Sequence, residues 1–152
     1  MKPFLFRLES VLALRTREED RAREACASAL ARQVDAERAL AEGEGELDAC
    51  HTAVSAHRVG KTSRSEQILL LGALQNQQFH CKTLVTQCAA VEREVAARRD
   101  ELLAVRRKRE ALTNLKERQR GTHRLTQERH AEAAIADIIS ARHALNLREA
   151  HS

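Results

Sequence analysis

Pro3 is the only proline in a chain of 152 residues. Beyond it nothing in the backbone forces a helix to stop, because proline is the residue that both lacks the N–H and clashes with the preceding turn. Pro3 itself suits the mouth of a helix, where a missing N–H costs little. Glycine is scarce too, at Gly43, Gly45, Gly60, Gly72 and Gly121. The chain is therefore free to run in very long helices, and its composition agrees. Charged residues make up 32% and aromatics 2%, without Trp or Tyr, and the apolar positions are mostly Ala and Leu. A compact core draws on large rigid side chains that each bury much area. The balance here belongs to long, thin helices, in a length that suits one domain.

The spacing predicts a first helix over about 4–58. Small or apolar residues, with one polar and one Gly position among them, recur at Cys26, Ala29, Gln33, Ala36, Leu40, Gly43, Leu47, Cys50 and Val54, alternating three and four apart. So narrow a face fits a two-stranded seam better than a globular core. The EGEGE stretch at 42–46 puts two glycines inside that helix, at about 1 kcal/mol each relative to Ala. Local fraying or a slight bend is expected there. The break falls at VGKTSRSE, residues 59–66. Gly60 suits the position just past a helix end. Ser63 with Glu66 forms a capping-box pattern, with Ser65 as a rival cap.

A second helix is expected over about 65–147, starting near Arg64. Its seam runs through Leu84, Cys88, Val91, Val95, Leu102, Val105 and Leu112, interrupted by Arg98 and Arg109. Ala131, Ile135, Ile138, Arg142 and Leu145 carry a similar spacing onward, and Gly121 marks a place for a kink. The expected fold is all-α: a long two-helix antiparallel coiled-coil hairpin, turning at about 59–64, with an overhanging C-terminal helical tail. Residues 1–152 form a single coiled-coil domain in this reading. Helices of these lengths would span about 80 Å and about 120 Å. A fold-back near residue 62 sets Phe4 opposite roughly residue 120, so the tail over 122–152 has no internal partner left. Phe4 and Phe6, two of only three Phe residues, then meet the 105–125 region.

Little in the chain offers chemistry. GKTS at 60–63 has the end of a phosphate-binding loop, but that motif needs a glycine where Ser55 stands, and its flanks read as helical. Cys50, His51, His57, His80, Cys81 and Cys88 gather near the turn. Close zinc-ligand pairs are missing, and Cys50 and His51 do not share a helix face. Cys50 and Cys88 read better as small seam residues. A catalytic site needs a concave pocket, which two helices do not offer, so no enzyme activity and no cofactor or metal is expected. No run approaches the roughly 18 apolar residues of a membrane span. LFRLES at 5–10 interrupts any export signal, so a cytoplasmic protein with free thiols is expected.

The formal net charge is only +4, from 26 basic and 22 acidic residues. RRKREALTNLKERQR at 106–120 nevertheless holds seven basic residues against two acidic. A solvated face, phosphate binding and an acidic protein partner all remain open; the interspersed Leu112 and Leu115 favour a protein, since apolar area beside Arg makes an interface. A DNA-reading zipper has its basic stretch before a parallel coil, whereas here a hairpin precedes it. ILLLGALQNQQF at 68–79 covers every side of a helix with apolar residues, more than a seam uses.

With Phe6, Leu8, Val11, Leu12 and Arg15 near its start and a basic stretch running from Arg107 through Leu112 and Leu115 to Arg118, the chain resembles the flagellar FliJ family of the bacterial flagellar type III export apparatus. The N-terminal pattern stands as Phe6, Leu8, Val11, Leu12 and Arg15, with Arg7, Glu9, Leu14 and Glu18 in keeping. The second signature stands as Arg107, Arg109, Glu110, Leu112, Leu115, Lys116, Glu117 and Arg118. Where the family tail often carries an Asp-Glu pair, this chain has Asp137 followed by Ile138. The resemblance implies a central stalk of a rotary-type hexameric export ATPase, promoting its assembly and hydrolysis. It also implies binding to the cytoplasmic domain of the export-gate membrane protein and to export chaperones, and peripheral association with the inner membrane through the apparatus. Carried over by position, ATPase binding falls to Phe6, Leu8, Val11, Leu12, Arg107, Arg109, Leu112, Leu115 and Arg118. Gate binding falls to Ala73, Gln77, His80 and Leu84. A generic coiled-coil scaffold or tether is the alternative, and a basic coiled-coil nucleic-acid binder a more distant one.

Overall fold

The computed structural model describes residues 3–60 and 63–149. Two helices hold nearly all of them: α1, Glu9–Val59, and α2, Arg64–Glu149. They form the antiparallel helical hairpin that the spacing predicts. Lys61 and Thr62 of the expected turn, residues 150–152 of the expected tail and the side chain of Leu145 lie outside the described residues. Ser63 starts α2. Its carbonyl accepts the Gln67 N–H at 3.2 Å, and its own N–H donates to Glu66 Oε2 at 3.2 Å, the carboxylate half of a capping box. The Ser63 and Ser65 hydroxyls bond each other at 2.7 Å.

The chain groups into two compact units, Met1–Arg17 with Arg106–Ser152, and Glu18–Val105. We call them the termini unit and the hairpin unit. In the hairpin unit α1 presents Glu19, Ala22, Cys26, Ala29, Gln33, Ala36, Leu40, Gly43, Leu47, Cys50 and Val54, all buried or half-buried. The facing stripe on α2 is Leu70, Leu74, Gln77, Cys81, Leu84, Cys88, Val91, Val95, Arg98, Leu102 and Val105. Both keep the three/four alternation that holds one helix face toward a partner. The stripes reach further than expected, taking in Glu19 and Ala22 on α1 and Leu70 to Cys81 on α2. Arg98 does not interrupt its stripe but lies half-buried in it, donating to Glu101 at 2.9 Å.

The fraying expected at 42–46 does not occur; α1 is unbroken there. Gly43 is buried in the seam, and a Cβ added to it would stand 2.7 Å from Leu84 Cδ1. Cys81 Sγ and Gln77 Nε2 each donate to the Gly43 carbonyl at 3.2 Å, and Gln77 also reaches Glu46 at 2.9 Å. The missing side chain lets the two backbones approach, and the contacts so gained offset the loss of helix propensity. An Arg32–Glu94 ion pair of 2.7 Å fixes the same register, though its solvent exposure keeps its contribution to stability small.

In the termini unit, α1 starts at Glu9 rather than near Phe4. The first helical bond runs from the Leu12 N–H to the Leu8 carbonyl at 2.9 Å. Pro3 therefore stands well ahead of the helix and not at its mouth. The cause lies in side-chain direction. Residues two apart point to the same side of an extended chain but to opposite sides of a helix. Phe4 and Phe6 are both covered while Leu5, between them, is 82% exposed. Only a non-helical lead can seat both rings. Gly121 does not interrupt α2. From Glu128 to Ala144 every residue of α2 is exposed, including Ile135, Ile138 and Ile139; the expected tail is helical, but among the described residues it lacks cover only from Glu128, because His123 meets Phe4. Among the described residues no helix is long and apolar enough to cross a membrane.

Candidate partner-binding surface in the termini unit

The termini unit is built around Lys116. Its ammonium lies 5.9 Å from the centroid of the Phe6 ring and 2.7 Å from Glu9 Oε2. The quadrupole of the ring and the carboxylate hold one cation between them. Phe6 itself is only 8% exposed. Further along α2 the Phe4 ring meets His123, with centroids 5.7 Å apart and planes tilted by 57°. These contacts tie the lead and the first turn of α1 to the basic part of α2. The nine residues assigned to ATPase binding all fall in this unit.

Their surroundings divide them. Phe6 is buried, and Leu12, Arg109 and Leu112 are half-buried; these shape the unit. Arg109 also lies 4.0 Å from Glu110. Leu8, Val11, Arg107, Leu115 and Arg118 are exposed. Arg106 is taken up by Glu110 at 2.8 Å. Arg107, Lys108, Arg118 and Arg120 are exposed and make no ion pair among the described residues. Leu5, Leu14 and Leu125 extend the exposed apolar area. None of these three is in the set carried over for ATPase binding, although Leu14 is in keeping with the N-terminal pattern and Leu5 directly precedes it.

Charge is unevenly shared between the units. The termini unit carries 15 Lys and Arg against 7 Asp and Glu, and the hairpin unit 11 against 15. The small overall charge conceals a cationic surface, which favours an acidic partner and speeds its encounter.

The four gate-binding candidates lie in the hairpin unit and do not share one environment. Leu84 is buried against Gly43, and Gln77 is half-buried and bonded to Gly43 and Glu46. Ala73 and His80 are exposed. Beside them Ile68, Leu69, Leu71 and Phe79 are exposed apolar residues, so part of the 68–79 run is indeed surplus to the seam. The Cys/His cluster separates in the same way. Cys81 and Cys88 are buried, Cys50 is half-buried, and all are free thiols. His51, His57 and His80 are exposed. Among the described residues no group of three or more His, Cys, Asp or Glu is placed to hold a metal ion.

The family model described as Flagellar FliJ protein matches residues 4–148. No curated protein and no solved structure gives a match. The family match takes in the lead, both helices and the basic stretch. The chain belongs to the FliJ family and is a non-enzymatic component of the flagellar export apparatus.

Proposed function

We propose that this chain is the central stalk of the hexameric flagellar export ATPase, with the termini unit as the part that enters the ring. A pair of helices is about 20 Å across, twice the diameter of one helix with its side chains, which is slim enough for an axial channel. The stalk performs no chemistry. It contacts the ATPase subunits unequally and so biases their populations of states, promoting assembly and hydrolysis. Leu8, Val11 and Leu115 supply apolar area, and Arg107 and Arg118 meet carboxylates, while Phe6, Leu12, Arg109 and Leu112 hold the surface in shape. The observation that supports this reading is the gathering of both sequence signatures into one cationic unit with exposed apolar residues. The protein works in the cytoplasm, held at the inner membrane through the apparatus.

The test is the ATP hydrolysis rate of the export ATPase from the same cell, with and without the chain at near-stoichiometric amounts. Stimulation is expected, and is lost when Arg107→Glu and Arg118→Glu are combined with helicity unchanged. Equal stimulation by that folded variant removes the assignment of the basic face. A scaffold or tether leaves the rate unchanged at every ratio.

A second contact, with the cytoplasmic domain of the export gate, is favoured by the exposed Ala73 and His80 beside Ile68, Leu69 and Phe79. His80→Glu is expected to weaken gate binding without loss of helicity; unchanged affinity would remove this surface. Export chaperones are partners on the same family grounds, and no nucleic acid is expected.

A further inference from the structure

Among the described residues nothing fills the space beside Gly121. A glycine inside a helix lowers its stability, and the seam shows what can offset that: at Gly43 a neighbour occupies the room a side chain would take. At Gly121 a Cβ would meet nothing within 4 Å, yet the residue is half-buried. It lies in an open groove of about 580 Å³ whose lining includes Phe4, Arg120, His123 and Arg124. A second groove shares Phe4 and His123 and brings in Leu5 and Arg118. Phe4 thus lines both.

The geometry points to these grooves as the binding site for an acidic polypeptide segment, which seats an apolar side chain over Gly121 against the Phe4 ring and sets its carboxylates on Arg118 and Arg120. Charge complementarity selects the occupant. Arg118 and Arg120 are exposed and without an ion pair among the described residues, while Arg124 is held by Glu128 at 3.4 Å. Among the described residues the groove lining contributes one carboxylate, Glu117, against two guanidinium groups. Guanidinium forks favour carboxylates in bidentate geometry. An apolar floor beside them adds an anchor that a bare polyanion would not use. The inference deepens the stalk reading and rests on it in one respect: the segment is taken to belong to the export ATPase.

The experiment compares Gly121→Leu with Gly45→Leu, a matched change in the hairpin unit, where a Cβ also meets nothing within 4 Å. Both replacements improve helix propensity, so neither should lower helicity or Tm. The readouts are affinity of the labelled full chain for the export ATPase and stimulation of its hydrolysis. Gly121→Leu is expected to weaken binding about tenfold, or about 1.4 kcal/mol, while Gly45→Leu binds as the unsubstituted chain does. Arg120→Glu, at a solvent-exposed position, should weaken binding in the same direction and leave the unfolding midpoint unchanged. Full binding and stimulation by Gly121→Leu overturns the groove assignment and leaves the stalk reading standing. Absence of binding by the unsubstituted chain overturns the stalk reading and the groove's owner with it. Self-association, or capture of duplex DNA, that disappears in Gly121→Leu overturns the acidic-polypeptide assignment.

Discussion

Gly43 gives the most demanding test of the packing. In Gly43→Ala the new methyl would stand 2.7 Å from Leu84 Cδ1, whereas carbon atoms rest about 3.5–4.0 Å apart. Leu84 or the helix must therefore move by about 1 Å. Leu84 is only 8% exposed, so little free volume receives its displaced methyl. Overpacking of this kind costs about 1–3 kcal/mol, and the helix propensity of Ala returns about 1 kcal/mol. The net change is about 0–2 kcal/mol of destabilisation. Gly45→Ala has the same propensity gain with open space around it, and should stabilise by about 1 kcal/mol. The two variants should thus differ by about 1–3 kcal/mol in urea unfolding followed by helical circular dichroism, with the corresponding Tm gap about 2–4 °C per kcal/mol. In a Leu84→Ala background the obstructing methyl is absent, and Gly43→Ala should turn stabilising, a coupling that a double-mutant cycle reads directly. A Gly43→Ala protein as stable as Gly45→Ala would refute the close-approach explanation for this glycine.

Phe6→Ala removes a ring that is 8% exposed and should cost about 3 kcal/mol, the lower end for loss of a buried Phe; Leu5→Ala, beside it, should change unfolding by less than about 0.5 kcal/mol. Lys116→Ala should cost about 1 kcal/mol, from an exposed ion pair with Glu9 and the cation–π contact with Phe6. That loss should shrink at high salt, because only the ion pair is strongly screened. Leu84→Glu places a carboxylate in the seam and should sharply lower the thermal midpoint, so any loss of gate binding in that variant reflects the fold. His80→Glu, at an exposed position, should leave the midpoint within about 2 °C, a shift of less than about 0.5 kcal/mol.

Much of the hairpin was legible because its signal is periodic. Cys26 to Val54 and Leu84 to Val105 fall three and four apart with mostly small or apolar side chains, Gln33 and Arg98 excepted, and all are buried or half-buried. Ser63 and Glu66 carried the capping pattern that starts α2. The rest was hidden for specific reasons. Glu19 is charged, so its place in the stripe does not register as hydrophobic, although it is only 5% exposed and paired to Arg23 at 3.0 Å. At 68–71 four consecutive apolar residues conceal which one faces α1; only Leu70 is half-buried. Gly43 looked like a weak point because the sequence shows its propensity and not the Leu84 methyl opposite. The lead was read as helix from the lack of a stop signal. Phe4, Leu5 and Phe6 are all apolar, so no period of two separates the covered rings from the exposed Leu5 in the sequence. Which residues of the sets proposed for ATPase and gate binding are exposed and which are buried shows only once the pairing of the helices is known.

The central claim is that the termini unit, and not the hairpin unit, enters the ATPase ring. A photo-crosslinking side chain placed at the exposed Leu115, and in a second protein at the exposed Asp48, tests it directly when each is irradiated with the assembled export ATPase and ATP. Crosslinks from position 115 to the ATPase, with few from position 48, are the predicted result. Crosslinks from position 48 with none from position 115, by folded proteins that still stimulate hydrolysis, would contradict it.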